Sequence, residues 1–333
     1  MLEKRKKKIL IIAAAIFFFS QPLIFASIPR NIDSSPQSIV VKNGTSISGI
    51  AQTLKDEGLI YSKVLFKLTS LMYKGRLMAG EYELRRDMST LGIVMKMGRG
   101  ERNIYALRII EGYNIYSIAE SIDRSSIMAK DDFLRLARDR DYLERIGVGA
   151  DSLEGYLFAD TYHYSKEVDV ETFIERIVRR TFAFFDREDV RERMDSLNLD
   201  IHRTLTLASM IEKEAGIEEE KPFVSAVFHN RTLRGMSFDS DPTVIYGTKR
   251  FGLPIRRVDL DSYTPYNTYT FRGYPKGPIC SPAKSTIMAT LNPASVDYLF
   301  FVSKNDGSHV FSRDIAEHNR YVNMYQRSGT TKQ

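Results

Sequence analysis

The sequence contains no tryptophan and a single cysteine, Cys280. One cysteine excludes an internal disulfide. The five histidines are scattered without the spacing of a metal site, so we expect no metal and no other cofactor. No glycine-rich phosphate loop occurs, and Gly98-Arg99-Gly100 does not fit the dinucleotide-binding pattern. These absences argue against nucleotide chemistry.

Excess positive charge is almost confined to the start of the chain. The net charge is +6, and the five basic residues at positions 4–8, less Glu3, account for +4 of it. The remainder of the 333 residues carries only +2, so the charge does not indicate a nucleic-acid partner, and we expect none. The length is sufficient for two or three domains.

A long uncharged stretch occurs once, at residues 9–28. Its length just spans a bilayer, and basic residues cluster before it, which favours a cytoplasmic N-terminus. We predict a cytoplasmic segment at 1–8 and a transmembrane anchor at 9–28. A cleavable signal peptide ending near Ala26 is the alternative, and no cysteine follows the stretch to support a lipoprotein anchor. In either case the rest of the chain is exported.

A polar linker at 29–38 leads into a region with alternating strand and helix patterns. Strand, helix, helix and strand in this short length are typical of a LysM module, a glycan-binding fold, and a degenerate second copy follows. We therefore predict a LysM-like region at 39–145. The alternative is a set of generic α+β elements that only hold the rest of the chain away from the membrane. The predicted elements are strands at 39–41, 78–84 and 106–110 and helices from Thr45 or Ser46 to 54 and at 63–73, 89–97 and 115–122.

Residues 205–216 are predicted to form a short, largely apolar helix ending at a C-cap, Gly216. Leu205, Ala208 and Glu212 lie on one stripe of it. A carboxylate on a buried stripe costs several kcal/mol unless it is paired, neutralised or open to a cleft, and desolvation raises a carboxyl pKa toward that of a general acid. Glu214 lies about 200° around the helix, so the two glutamates cannot face one cleft. A purely structural ion pair explains Glu212 equally well.

Several polar and aromatic motifs follow in the second half, and their composition suits a sugar cleft. Flat aromatic faces pack against pyranose rings, and neutral side chains bond hydroxyl or N-acetyl groups. The alternative is that most of these rings pack inside a loop. In the motif at 153–162, Glu154 and Asp160 are better explained as carboxylates that fix loops than as acid/base groups. Further helices are predicted at 169–186, 190–197, 223–231 and 317–326, with a hairpin formed by 298–302 and 309–311.

Taken in their order along the chain, the motifs resemble those of the YceG-like family of membrane-bound endolytic murein transglycosylases. The resemblance covers residues 39–325 and departs from the family pattern at Ala159, Lys276, Cys280 and Ser281. The matching segments are L-A-S-M-I-E-K-E at 207–214, L-E-G-Y-L-F-A-D-T-Y at 153–162, S-D-P-T-V-I-Y-G at 240–247, T-P-Y-N-T-Y at 264–269 and G-Y-P-K-G-P-I-C-S-P at 273–282.

The resemblance implies that Glu212, the first glutamate of E-K-E, is the catalytic acid. It implies non-hydrolytic cleavage of the MurNAc–GlcNAc β-1,4 bond of nascent strands, which leaves 1,6-anhydro-MurNAc ends and stops elongation. One glutamate suffices because the C6 hydroxyl of the substrate replaces water. We predict supporting roles for Glu214, Asn267, Ser240 and Asp241. The predicted substrate-binding residues are Asn230, Thr243, Tyr246, Tyr266, Thr268 and Tyr269.

Together these inferences predict an α+β protein with an N-terminal transmembrane helix, a LysM-like βααβ region, a mixed α+β catalytic domain at 146–327 and a tail at 328–333. We expect a single-pass protein of the bacterial inner membrane with its catalytic part on the outer side. The family resemblance implies peptidoglycan polymerases or penicillin-binding proteins as partners. The competing functions are a non-catalytic peptidoglycan-binding protein and a muramidase that uses Asp241 as a second carboxylate.

A serine hydrolase is a weaker alternative, because residues 235–239 lack the final glycine of a nucleophile elbow.

Overall fold

The computed structural model describes residues 25–29, 34–73, 75–166 and 168–327, which form a mixed α+β structure. The predicted segment 1–8, most of the predicted anchor and the predicted tail lie outside the described residues. Within the described ranges, no helix is both long enough and apolar enough to cross a bilayer. The chain divides into two compact units, which are Met1–Ala106 with His163–Asp169 and Leu107–Tyr162 with Val170–Gln333.

The first unit contains the predicted strand–helix–helix–strand order, followed by a third helix. Its two strands pair antiparallel, from Pro36 opposite Arg85 to Val41 opposite Gly80. Serine hydroxyls accept a backbone N–H at the start of each helix, which explains why the helix starts were predictable. The elements are β1 Pro36–Val41, α1 Ile47–Asp56, α2 Lys63–Met72, β2 Gly80–Arg85 and α3 Thr90–Gly98.

Side-chain alternation along the two strands builds the core of this unit. Ile39 and Val41 on β1, with Tyr82 and Leu84 on β2, all point to the same face and are at most 4% exposed. They pack with apolar residues of the three helices around Phe66. The unit therefore has a hydrophobic core of its own.

A second pair of strands lies where the two units divide. β3 Tyr105–Ile109 pairs with β4 Asp160–Tyr164, and the division passes through both strands. The sequence prediction instead places the domain boundary between residues 145 and 146.

The second unit is mainly helical and closes with an antiparallel hairpin that pairs Phe300 with Ser312. The hairpin and the longer helices lie close to their predicted positions. Strand β4 was not predicted, and neither were the short helices Lys130–Leu136, Arg140–Arg145, Asp241–Thr248, Arg257–Asp261 and Lys284–Leu291. The helices are α4 Ile115–Arg124, α5 Lys130–Leu136, α6 Arg140–Arg145, α7 Val170–Phe185, α8 Glu188–Ser196, α9 Ile201–Glu214, α10 Lys221–Leu233, α11 Asp241–Thr248, α12 Arg257–Asp261, α13 Lys284–Leu291 and α14 Ile315–Val322, and the hairpin strands are β5 Phe300–Ser303 and β6 His309–Ser312.

Helix α9 is the buried helix of this unit. Residues 204–211 are all buried, and the helix packs against α10 and α13. Burying its hydroxyls costs little stability because each donates to a backbone carbonyl at 2.7 Å: Thr206 and Ser209 within the helix, and Thr204 to the N-cap residue Asp200. The prediction of Gly216 as the C-cap is wrong, because the helix ends at Glu214 and the C-cap residue is Ala215, whose backbone is extended.

Candidate active site

Glu212 lies near the end of α9, and its side chain is 12% exposed. Its Oε2 accepts the backbone N–H of Ala283 at 3.1 Å and the hydroxyl of Thr286. The Lys221 Nζ lies 3.5 Å from the same oxygen. An N–H, a hydroxyl and an ammonium all contact the same oxygen, so these contacts hold Glu212 in one orientation.

The contacts of Glu212 also complete the start of α13. Ala283, the residue before this helix, has no side chain able to cap it, and no side-chain cap is formed there. Glu212 supplies the missing acceptor from another helix, at the end where the helix dipole favours negative charge. A structural role for Glu212 is therefore present in the geometry beside any chemical role.

The two oxygens of Glu212 differ in their surroundings. None of the three contacts involves Oε1, and the side chain retains some exposure. A carboxyl group held through one oxygen can donate and recover a proton at the other in a fixed geometry. This arrangement is what a single general acid/base requires.

The loop before α13 is fastened to α9 and to the turn before α4. The N–H of Ile279 donates to Ser209 Oγ at 3.0 Å. Ser281 and the turn exchange two backbone hydrogen bonds, from Gly112 to Ser281 at 2.9 Å and from Ser281 to Tyr113 at 2.8 Å. The motif at 273–282 thus places the Ala283 N–H and Thr286 against Glu212.

Glu214 contacts a different neighbour, as the 200° separation predicts. The Ser240 hydroxyl donates to Glu214 Oε1 at 2.6 Å. Desolvation raises the pKa of Glu214 to about 7, and the nearby charge of Asp241 acts in the same direction. Glu214 can therefore hold a proton near neutral pH.

Most of the predicted supporting and binding residues gather on the Glu214 side of the helix. The Ser240 N–H donates to Thr268 Oγ1 at 3.0 Å, and Thr268 bonds Thr243 at 2.9 Å. The Tyr269 hydroxyl donates to Asp241 at 2.7 Å. Because Ser240, Thr243 and Thr268 are at most 1% exposed, this network positions the S-D-P-T loop and presents little surface to a ligand.

The two predicted asparagines use their amides inside the protein. Asn267 Nδ2 donates to the carbonyls of Asp259, Leu260 and Ser262 at 2.7–3.2 Å. Asn230 Nδ2 donates to two carbonyls of the segment before β5, both at 2.9 Å. The geometry gives both amides a role in fixing loops, and their predicted contact with sugar rests on the sequence alone.

Tyr246 and Tyr266 belong to a buried cluster around Glu154. The Tyr246 hydroxyl and the Ile115 N–H both donate to Glu154 Oε2, at 2.8 and 2.9 Å, and the two tyrosine rings lie 4.7 Å apart. Desolvation raises the pKa of Glu154, which is 2% exposed, to about 7. The structure thus places Glu154 in the loop-fixing position that the sequence favoured, and Asp160 pairs with Arg180 at 2.9 Å.

Three partners of Glu212 escaped the sequence analysis, namely Lys221, Ala283 and Thr286. The last two lie 71 and 74 residues from Glu212 along the chain, and no spacing pattern connects residues so far apart. Within the described ranges, no group of three or more His, Cys, Asp or Glu side chains is placed to hold a metal ion.

Comparison with known proteins gives consistent matches along most of the chain. The model of the YceG-like family matches residues 39–324. The endolytic murein transglycosylase of Bacillus subtilis strain 168 is 29% identical over 313 residues, which cover 89% of this chain and 86% of that protein. The protein of the same name from Streptococcus pneumoniae serotype 2 strain D39 is 27% identical, over 87% of this chain and 59% of its own length.

A solved structure also matches. The crystal structure of a putative YceG-like protein from Listeria monocytogenes superposes with a TM-score of 0.60 at 30% identity, covering 86% of this chain and 99% of that one.

Proposed function

Because this chain belongs to the YceG-like family, we propose that it is an endolytic lytic transglycosylase of peptidoglycan, an enzyme of the carbon–oxygen lyase class. Its substrate is the glycan strand, and the bond it cleaves is the MurNAc–GlcNAc β-1,4 linkage. The observation that supports this chemistry best is the position of Glu212, which is held through Oε2 and retains Oε1 for proton transfer.

The reaction requires one carboxyl group that first donates a proton and then takes one back. In the first step Glu212 protonates the glycosidic oxygen as the bond from that oxygen to C1 of MurNAc breaks. In the second step the carboxylate takes the proton of the C6 hydroxyl, and O6 bonds to C1. The contacts from Ala283, Thr286 and Lys221 stabilise the carboxylate between the two steps. No water is consumed, and the product ends in 1,6-anhydro-MurNAc.

The proposed location of the protein and its proposed partners follow from this activity and from the sequence. We place the protein in the bacterial inner membrane, anchored by residues 9–28, with the rest of the chain after the anchor on the outer side. The βααβ order of the first unit supports a LysM-like, glycan-binding role for it. Cutting new strands near the membrane would terminate their elongation and bring the enzyme close to peptidoglycan polymerases, its proposed partners.

Mass spectrometry of glycan strands treated with the protein tests the proposal. Wild type should produce anhydro-MurNAc ends, and Glu212→Gln should reduce their rate of formation by roughly 10²–10⁴-fold, the usual contribution of a general acid/base. Glutamine can still accept the Ala283 N–H, so the variant should fold. Cleavage by Glu212→Gln at the wild-type rate would exclude Glu212 as the acid.

Two other outcomes correspond to the competing functions. A non-catalytic peptidoglycan-binding protein would bind strands without cutting them, and the capping role of Glu212 at α13 gives that alternative a structural basis. A muramidase would leave reducing ends and require a second carboxylate. Asp241 is the candidate for that role. It accepts a hydrogen bond from Tyr269 on the Glu214 side of the helix, and this position does not favour Asp241 as the partner of Glu212.

A further inference from the structure

Helix α2 of the first unit buries Phe66 in the core but exposes four of its other apolar residues, while it buries two polar ones. Thr69 and Ser70 are at most 6% exposed, and their hydroxyls donate to backbone carbonyls one turn earlier at 2.8 Å. The exposed apolar residues follow a spacing of four, three and one, which places them on one stripe. They are Val64 at 66%, Leu68 at 44%, Leu71 at 69% and Met72 at 56% exposure. A contiguous apolar stripe of this kind marks an interaction surface.

An apolar groove of about 240 Å³ continues the stripe toward α3. Leu68 and Met72 form one wall, and Leu91 and Met95 of α3 contribute to the other. Ala26 also lines the groove and is only 1% exposed. We call the stripe and the groove together the α2 face.

The α2 face is therefore continuous with the end of the apolar stretch at residues 9–28. The segment that carries Ala26 is further held to this unit by a bridge between Pro29 and Ser89. Phe25 and Ile28, on either side of Ala26, are 59% and 49% exposed and extend the apolar surface. The uncharged stretch therefore meets the folded unit at the apolar α2 face.

We propose that the α2 face rests on the bilayer that receives the apolar stretch, so that the first unit lies against the membrane surface. This inference rests on the proposed anchor. A bilayer fits better than a second copy of the chain or a soluble peptide, because the face is directly continuous with the stretch that enters the bilayer. Lys67, beside Leu68 on α2, suits the headgroups of an anionic leaflet.

Lipid quenching of a fluorophore on the α2 face tests the contact. The full chain is reconstituted in vesicles of phosphatidylcholine and phosphatidylglycerol, with an environment-sensitive dye on Leu71→Cys. The native Cys280 is fully buried, so the introduced thiol is labelled selectively. Glu83→Cys is the matched control, because Glu83 is exposed on β2 between Tyr82 and Leu84, whose side chains enter the core.

Brominated lipids should quench the dye at position 71 several-fold more strongly than the dye at position 83. Adding Leu68→Ser and Met72→Ser should reduce quenching at 71 toward the control, while circular dichroism stays unchanged because both side chains are exposed. Equal, weak quenching at both positions would overturn the proposal, as would failure of the chain to float with vesicles. A dye at 71 shielded from both water and lipid would show that a protein surface covers the face, which also overturns it.

Glycan cleavage by the same vesicles is measured in parallel. Loss of lipid contact with cleavage retained refutes the α2 face alone, whereas lipid contact without cleavage refutes the proposed enzyme alone.

Discussion

At the scale of single residues, the two glutamates of α9 differ in what surrounds their oxygens. Glu212 meets an N–H, a hydroxyl and an ammonium at one oxygen, and these contacts fix the orientation of its carboxyl group. Glu214 meets a serine hydroxyl in surroundings that raise its pKa to about 7. Glu212 is therefore placed to donate and recover a proton, whereas Glu214 positions the S-D-P-T loop.

Thr286→Val tests whether the contact to Glu212 Oε2 positions the acid. Valine keeps the branched shape and removes the hydroxyl donor, so we expect turnover to fall about tenfold, the effect of ~1.4 kcal/mol on the barrier. Saturating strand concentrations should isolate this effect on kcat, with KM little changed.

The matched control is Thr290→Val, one turn along α13. Its hydroxyl is equally buried but donates to the Thr286 carbonyl at 2.8 Å and does not reach Glu212. An equal loss of turnover in both variants would show that turnover depends on the integrity of α13 and not on the contact between Thr286 and Glu212.

Glu154→Gln should change the pH dependence of stability. Burial raises the pKa of Glu154 from 4.5 to about 7, so the folded protein keeps a proton that the unfolded chain releases. The residue thus lowers stability progressively from about pH 4.5 to pH 7, with an upper bound of about 3.5 kcal/mol at ~1.4 kcal/mol per pH unit. Relative to wild type, the variant should gain stability as the pH rises through this window.

Urea denaturation near pH 4.5 and near pH 8 measures this difference. Glu214 titrates in the same range, but it is present in both proteins and its contribution cancels. Parallel stability curves for wild type and variant would mean that Glu154 is ionised in the folded state like an ordinary carboxylate.

The sequence identified the position of Glu212 but not its environment. A stripe of apolar residues with one carboxylate is visible from the 3.6-residue period alone. The partners on α13 come from a distant part of the chain, and whether a tyrosine such as Tyr246 meets sugar or a buried glutamate depends on tertiary packing. The sugar-binding residues therefore stay predictions, whereas the loop-fixing interpretation of Glu154 agrees with the hydrogen bonds observed.

At the scale of elements, two loops with sequence motifs interlock beside α9. Gly155 of the L-E-G-Y motif has a φ of +80°, and a Cβ there would lie 2.5 Å from Pro278 of the 273–282 loop. A glycine is required here for two reasons, namely its left-handed backbone conformation and the close approach of Pro278.

Gly155→Ala should therefore destabilise the protein by about 2–5 kcal/mol, combining ~1–2 kcal/mol for the left-handed conformation with ~1–3 kcal/mol for overpacking. Thermal and urea denaturation measure the loss. Gly252→Ala is the control, since Gly252 has a φ of +74° with nothing within 4 Å of the added Cβ. It should show the conformational cost alone, and equal losses would refute the interlock.

A capping side chain made several helix starts predictable, but it did not suffice for the six-residue helix α6, which Asp139 caps. Ser46, Ser62, Ser89 and Asn114 each cap a helix whose start the sequence indicated closely. The helices α11, α12 and α13 have five to eight residues and strongly polar or proline-containing flanks, so their apolar period is too short to recognise. Their ends are determined by tertiary contacts such as that of Glu212 with Ala283.

At the scale of the whole molecule, the family match extends over both compact units. The α+β class and the βααβ order of the first unit were predictable, because each follows from local patterns. The division of the chain at Ala106 was not predictable, because β3 and β4 are brought together from positions about 55 residues apart in the sequence.

The central claim is that the substrate's own hydroxyl, and not water, completes the reaction at a single glutamate. Digestion of glycan strands in ¹⁸O-labelled water, followed by mass spectrometry of the new ends, tests it most directly. We predict ends that contain no ¹⁸O and are lighter than a reducing MurNAc end by one water molecule. New reducing ends that carry ¹⁸O would contradict this account and establish hydrolysis.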